Sequence, residues 1–420
     1  MRSEVKLPSG WREMPLERLM VPRKDSVHPL DVPEAKYVGL EHLTPGNPDL
    51  TEWGDIGTVR STKSKFSKGN VLYGKLRPYL DKAALAHFDG VCSTDILVFA
   101  PTEETSARYL SYLMHTGGVL QHAIDTMRGT NHPRTKWSSL AELSVPLPSL
   151  SEQRTISDTL ETLSNALAVR ERELETERER KASLLNQIFC QGTNGEAVKD
   201  SDAGTVPASW EVVTLGDLIE SGPQNGLYKP QDCYGEGTPI LRINDFDNAG
   251  CFVSPHLQEV QLDDGEVEKH GLRKRDIVIN RVNSLSHLGK SALVTEAVAG
   301  AVFESNMMRI RLDEGGAVPE FVAGYLLSDR VRSYFRSRAK RAVAQSSINQ
   351  SDVRSVPVPV PSEAERRLIS TVIDACDEKI TALASEVRLH RELFRALLEE
   401  LMTGQRSVLP LTTIQPEITA

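Results

Sequence analysis

Apolar positions recur along two stretches of this chain at alternating spacings of four and three, and the two stretches match at a constant offset. Ile156, Leu160, Leu163, Leu167, Arg170, Leu174, Glu177, Lys181, Leu184 and Ile188 form the first set. Adding 213 to each gives Ile369, Ile373, Cys376, Ile380, Leu383, Val387, His390, Phe394, Leu397 and Leu401. A 4-3 spacing sustained over five heptads is the seam of a coiled coil. Ser151 with Glu152, and Ser362 with Glu363 and Glu365, supply the acceptor and negative charge that helix starts favour. Gly192 and Gly404 stand just past the ends, where a left-handed cap belongs. The pattern predicts long helices over 151–192 and 362–404, each roughly 60 Å at 1.5 Å per residue. So narrow a seam on so long a helix cannot be buried by one small domain, so the helices are expected to pack on each other. An antiparallel pairing suits the duplication, because a two-fold arrangement gives each helix an equivalent domain. The polar seam positions Arg170, Glu177 and Lys181 either fix the register or mark a solvated stretch.

The duplication extends beyond the helices. Leu7-Pro8-Ser9-Gly10-Trp11 returns as Val206-Pro207-Ala208-Ser209-Trp210, shifted by 199. The run Lys68 to Leu76 returns as Lys274 to Val282, shifted by 206, and both read as a turn feeding a buried strand that ends in a basic residue. Val145-Pro146-Leu147-Pro148 returns as Val358-Pro359-Val360-Pro361, shifted by 213. Strands are also expected at 95–99 and 307–312, and helices at 107–115 and 319–327. Each of these helices is followed by a second that runs into a basic, polar loop, 127–137 or 341–349. The fold class is therefore α+β, with two globular domains of mixed or antiparallel sheet, two long helices and a pseudo-two-fold repeat. The boundaries read as 1–150 for the first domain, 151–192 for the central helix and 193–204 for a polar linker. A second domain over 205–361, a helix over 362–404 and a tail over 405–420 complete the chain.

Five scattered cysteines without C-x-x-C spacing argue against a zinc site or a disulfide framework. With no signal-like N-terminus and no run of eighteen apolar residues, a cytoplasmic location is expected. The net charge of −9 speaks against a nucleic-acid partner until its distribution is examined. Between Val59 and Lys82 seven basic residues face one acid, Asp81, and between Arg330 and Arg341 six basic residues face none. Such windows are either solvated faces or focused phosphate sites.

Motifs for covalent chemistry are near misses. Gly289-Lys290-Ser291 resembles the end of a phosphate loop, but Ser284 stands where the first glycine belongs. Asn47-Pro48-Asp49-Leu50 begins like an amino-methyltransferase tetrapeptide, yet lacks the second proline and the aromatic ring that stacks on a flipped base. No metalloprotease or nucleophile-elbow motif occurs, and His122 and His132 read as polar surface or phosphate contacts. The expectation is a non-enzyme with no metal site and no cofactor of its own.

The Pro-x-x-Trp start of each half, the turn-strand-basic element and V-P-L-P-S-L-S-E-Q-R at 145–154 occur in this order ahead of a long helix, and the order repeats. The whole chain thereby resembles the specificity subunit of type I restriction–modification enzymes. The second copy departs at V-P-V-P-S-E-A-E-R-R, where Arg366 replaces Gln153. The resemblance implies two target-recognition domains, each reading half of a split site in double-stranded DNA, with the helices setting the spacer. It implies two modification subunits that carry S-adenosylmethionine and dock on the helices. It also implies restriction subunits that use ATP and Mg²⁺. Base reading needs side chains that form bidentate hydrogen bonds, with cations nearby for phosphates. In the first domain the candidates are Lys63, Lys65, Lys75, Arg77, Arg128, Asn131, His132, Arg134 and Lys136. In the second they are Asn225, Tyr228, Lys229, Arg242, Arg281, Asn283, Lys340, Arg341, Gln345 and Asn349. The alternative is a non-catalytic coiled-coil adaptor whose globular domains bind peptides or proteins.

Overall fold

The computed structural model describes residues 7–253, 256–313, 318–341 and 345–407. It divides into two compact units, Met1–Val169 with Val387–Ala420, and Arg170–Glu386. Two long helices run through this division, α1 (Leu150–Gln191) and α2 (Glu363–Met402), so each unit holds half of each.

In the first unit the chain starts with Arg12–Pro15, which pairs antiparallel with Ser144–Leu147. The repeated Val-Pro-Leu-Pro is thus a strand that ties the end of the domain to its beginning. The helix Leu16–Leu19 buries both of its leucines. An antiparallel sheet follows, in the order Met20–Arg23, Ile96–Pro101, Val71–Gly74, Ala83–Leu85. All four residues of Val71–Gly74 are buried, as a strand covered on both faces requires. A second sheet orders Ser26–Val27, Lys63–Phe66, Gly90–Cys92, Lys36–Val38 and Gly54–Asp55, with one parallel pairing. The expected first helix is Ala107–Leu113, started by Ser106, whose hydroxyl accepts from the Tyr109 N–H. Gly117–Thr126 comes next.

The second unit repeats this plan. Glu211–Thr214 pairs with Pro357–Val360, and the four-stranded order becomes Ile219–Asn225, Met307–Leu312, Ile277–Asn280, Ser291–Leu293. Pro319–Leu326 and Asp329–Arg338 are its two helices. The helix Asp264–His270 has no counterpart and accounts for part of the drifting offset. The α+β class with mixed sheet stands.

Both units show the long helices antiparallel. In the second, Arg170, Glu177 and Lys181 of α1 meet Glu386, Lys379 and Asp377 of α2, so one number rises as the other falls. In the first, Ile156 and Leu160 from the start of α1 share a core with Phe394, Leu398 and Leu401 from the end of α2. Of the seam positions, Ile156, Leu160, Leu174, Ile188, Ile369, Ile373, Ile380, Leu383, Val387, Phe394 and Leu401 are buried. Leu163, Leu167, Leu184 and Leu397 are half-buried. Leu185, Phe189, Leu398 and Met402 are buried beside the seam because the helix ends pack on a globular core as well as on each other. The seam is therefore wider at its ends than a strict 4-3 pattern implies.

One expectation is corrected. The segment 193–204, read as a linker for its small polar residues, begins a hairpin in which Val198–Ser201 pairs with Gly204–Pro207. Ala203 and Val206 anchor it by burial, and Thr193 ties to Glu365 of α2. All three polar seam positions make ion pairs across the seam; Lys181 is buried, whereas the Arg170 side chain is 44% exposed. The expected tail lies outside the described residues from 408 onward.

Candidate nucleic-acid interface

In each domain the basic end of a buried strand is laced to the loop that follows the second helix. In the first, the Lys75 N–H donates to the Asp95 carbonyl at 3.0 Å, and the Lys75 carbonyl accepts from Thr135 N–H at 3.0 Å. The Arg77 N–H donates to Pro133 at 2.7 Å, while Arg128 and Arg134 exchange N–H···O bonds of 2.9 Å. Lys75, Arg77, Arg128, Asn131, His132, Arg134 and Lys136 are thereby gathered on one pair of joined loops. Arg77, Arg128, Asn131, His132 and Lys136 are exposed. The Arg134 guanidinium forks onto Asp95 at 2.8 and 3.0 Å. That hydrogen bonding, helped by the charges of Lys75 and His132, holds the Asp95 carboxyl below the usual carboxylate range.

The second domain builds the same frame with different side chains. The Arg281 N–H donates to Asn306 at 2.8 Å, and the Arg281 carbonyl accepts from Ile348 N–H at 3.0 Å. These bonds match those of Lys75 at an offset of 206 for the basic residue and 213 for the loop donor, with Asn306 standing 211 beyond Asp95. Val282–Asn283, Ser346–Ser347 and Lys340–Arg341 form a small sheet where the first domain has isolated bridges between Leu76, Arg134 and Arg128. Lys340 and Gln345 are exposed. The backbone of Arg341 lies in this sheet. Asn349 is a helix cap: its side-chain oxygen accepts from Asp352 N–H at 2.9 Å.

Other candidates fall elsewhere. Lys63 and Lys65 sit on the second sheet of their domain, and only Lys65 is exposed. Lys63 is 6% exposed, and its ammonium donates to the carbonyl and hydroxyl of Ser61 at 2.9 and 2.7 Å. Buried and spoken for, it is a structural lysine. Asn225, Tyr228 and Lys229 lie at and beyond the end of the strand Ile219–Asn225. Tyr228 is 79% exposed, whereas Lys229 is paired with Glu266 at 2.8 Å. Arg242 donates to Gln258 at 2.7 Å and lies 3.7 Å from Asp245. Absent from the sequence candidates are Tyr79 and Leu80, two exposed apolar residues that follow Arg77 and the buried Pro78. Their signal was the Arg-Pro-Tyr-Leu-Asp run in the basic window.

The near-miss motifs have structural explanations. The Lys290 ammonium is buried and donates to the carbonyls of Ile243 and Phe246 at 2.5 and 2.6 Å. It sits 4.5 Å from the centre of the Phe246 ring, and burial pushes its pKa down. Asp49 accepts from Arg108 and His87 at 2.5 and 2.8 Å, which makes Asn47-Pro48-Asp49 a braced turn. His122 is bonded to the Ser139 carbonyl at 2.7 Å. Gln153 is buried, joining Ser106, Glu104 and Pro148. Among the described residues no group of three or more His, Cys, Asp or Glu is placed to hold a metal, and no helix is long and apolar enough to cross a membrane.

Comparison with known proteins agrees with this duplicated plan. The chain is 26% identical over 218 residues to a putative type I restriction enzyme MjaX specificity subunit of Methanocaldococcus jannaschii, covering 51% of each. It is 24% identical over 388 residues to the type I restriction enzyme EcoKI specificity subunit of Escherichia coli, covering 87% of this chain and 81% of that one. The chain spans about half the length of the first curated relatives it matches. In fold it is similar to the S subunit of a type I restriction–modification system from M. genitalium. That likeness has a TM-score of 0.56 and 14% identity, over 96% of this chain and 98% of that one. A chain from a study of type I restriction–modification assembly and conformational transition aligns with a TM-score of 0.53 and 18% identity, over 96% and 100%. The family model for the type I restriction modification DNA specificity domain matches twice, over residues 26–177 and 207–388, and the chain belongs to that family.

Proposed function

We propose that this chain is the DNA-recognition subunit of a type I restriction–modification complex. The observation that carries the reading is the repeated interface frame: two domains lace the same strand end to the same loop but fill the frame with different side chains. A shared frame with unlike contents suits two readers of unlike half-sites. Phosphates are held by the exposed cations around each frame, and base edges by the polar and apolar groups at its tip. Tethering both readers to one helix pair makes the second contact intramolecular, which raises affinity only for half-sites at a matching separation.

Methyl transfer and cleavage belong to partners in this reading. Two modification subunits dock along the helices and bring S-adenosylmethionine, and restriction subunits bring ATP and Mg²⁺. The chain itself binds, orients and selects. The test is co-expression with a cognate modification subunit in cells lacking other adenine methylation, followed by mapping of methylated adenines. A single split motif is expected, and its absence with the cognate partner sinks the proposal. The adaptor reading predicts binding that salt hardly changes, whereas DNA binding weakens steeply with salt.

A further inference from the structure

The turn after Lys75 differs from its counterpart in the second domain. Arg77 and Asp81 both take left-handed backbone, with φ of 52° and 49°. That conformation costs a non-glycine residue of order 1 kcal/mol and persists only where its surroundings impose it. The two residues bracket the turn Pro78–Leu80. Pro78 is buried, while Tyr79 and Leu80 are 48% and 39% exposed. The turn leaves an aromatic and an aliphatic side chain side by side and partly exposed on the loops that carry the basic candidates.

The base of the turn is clamped. Arg77 is held to Pro133 as described, and the Asp81 carbonyl accepts from Gly46 N–H at 2.8 Å. The Asp81 carboxylate lies 2.7 Å from Nδ1 of the buried His115, whose Nε2 is 3.0 Å from the Ala83 carbonyl. An exposed tip on a fixed base loses little conformational freedom when it binds. In the second domain the corresponding turn sends Leu285 against the core, and Ser284, Ser286 and His287 bond among themselves outside. The shared frame therefore does not require an exposed apolar tip.

We infer that Tyr79 and Leu80 read a thymine in the first half-site by contact with its C5-methyl group. The inference rests on the function proposed above. The major groove presents donors and acceptors at every base pair but only one apolar group, the thymine methyl. An apolar tip on laced loops that also carry Lys75, Arg77, Arg128 and Lys136 is matched there by that group alone.

The test uses the complex of this chain with its modification subunits and synthetic duplexes carrying the mapped site, with each thymidine replaced in turn by deoxyuridine. Wild type is expected to lose roughly fourfold in affinity at one thymine of the first half-site, the worth of one buried methyl. A Tyr79→Ala, Leu80→Ala double variant is expected to bind the two duplexes alike at that position. Uracil in the second half-site should affect both proteins equally, which shows that the variant is folded and engaged. Three results overturn the inference: a first half-site without thymine, a wild type indifferent to uracil throughout that half-site, or a variant that keeps the same discrimination. If wild type shows no preference for any site, the recognition reading itself fails and the inference falls with it.

Discussion

Pro8 packs against Gly404 at the end of α2, just as Pro207 packs against Gly192 at the end of α1. A Cβ placed on Gly404 would lie 2.8 Å from the Pro8 ring, and one on Gly192 would lie 3.0 Å from the Pro207 ring. Both glycines are left-handed, with φ of 74° and 68°. The start of each half is thus seated on the end of the helix that follows the other half. Gly192→Ala and Gly404→Ala are each expected to cost about 1–2 kcal/mol, from the left-handed strain and the displaced proline. Urea unfolding of each variant checks this; an unchanged midpoint would show that these contacts are not needed.

The Lys181–Asp377 pair, 2.5 Å long, is the buried polar step of a seam that also carries the more exposed pair Arg170–Glu386 and the pair Lys379–Glu177. Asp377→Ala leaves a buried ammonium unpaired. The expected loss is about 2 kcal/mol, below the roughly 3–5 kcal/mol of a fully enclosed pair, since 39% of the Asp377 side chain is exposed. Burial raises the Asp377 pKa against the pull of Lys181. Asp377 therefore binds its proton more tightly folded than unfolded, and stability attributable to it falls as pH rises through the carboxylate range. Lys181→Met with Asp377→Leu should restore stability and remove that pH dependence. Thermal unfolding of the single and double variants between pH 3 and 7 separates these outcomes.

Arg134 is held on Asp95 in the first interface. The Asp95 pKa is lowered, so the stability from this pair is present above the unfolded value and is lost as pH falls below about 4. Asp95→Asn removes a negative charge from among Lys75, Arg77 and Arg134. Non-specific DNA binding should tighten at low salt, and the slope of log K against log salt should steepen by about 0.9 if Arg134 gains one phosphate. Discrimination at the first half-site should weaken as Arg134 loses its fixed position. A variant with unchanged salt slope and unchanged discrimination would place Arg134 away from DNA.

How far the sequence revealed this depends on the length of each pattern. The helices were legible because Ile156 to Ile188 and Ile369 to Leu401 repeat one constraint many times over. The second sheets were not, since strands such as Ser26–Val27 and Gly54–Asp55 are too short to show alternation. Lys63 misled for a related reason: its charge is visible in the sequence, but the Ser61 oxygens that satisfy it are arranged only by the fold. The hairpin at 198–207 was hidden because backbone pairing holds it and only Ala203, Val206 and Pro207 are buried. The Asp263 to Glu266 capping box did announce the extra helix of the second domain, and a scan for caps would have found it.

If the helices set the spacer, lengthening them should change the spacer alone. Arg170 and Glu386 face each other across the seam, so one heptad inserted before Arg170 and one after Glu386 keeps the pairing in phase. Each heptad adds about 10 Å of helix, close to three base pairs of duplex. Methylation mapping should return the same two half-sites with a spacer longer by about three base pairs. Altered half-sites would remove the helices from the role of spacer.

Lys290 and Lys82 make the same contact in the two domains: Lys290 donates to Ile243 and Lys82 to Leu40, the latter at 2.6 Å. Each ammonium closes over main-chain carbonyls, the Leu40 carbonyl also accepting from the Leu43 N–H at 3.4 Å, and both are structural lysines. Lys290→Met keeps the aliphatic stem but leaves the carbonyls of Ile243 and Phe246 without this donor, an expected cost of about 2–3 kcal/mol. The Lys290 pKa is depressed by burial, so the unfolded chain binds this proton more tightly. Its contribution to stability therefore rises with pH toward the ordinary lysine value near 10.4. Calorimetric melting of wild type and Lys290→Met with and without ATP tests both points. Loss of stability with no nucleotide-dependent shift in either protein is expected. A shift with ATP in wild type that Lys290→Met abolishes would revive the phosphate-loop reading.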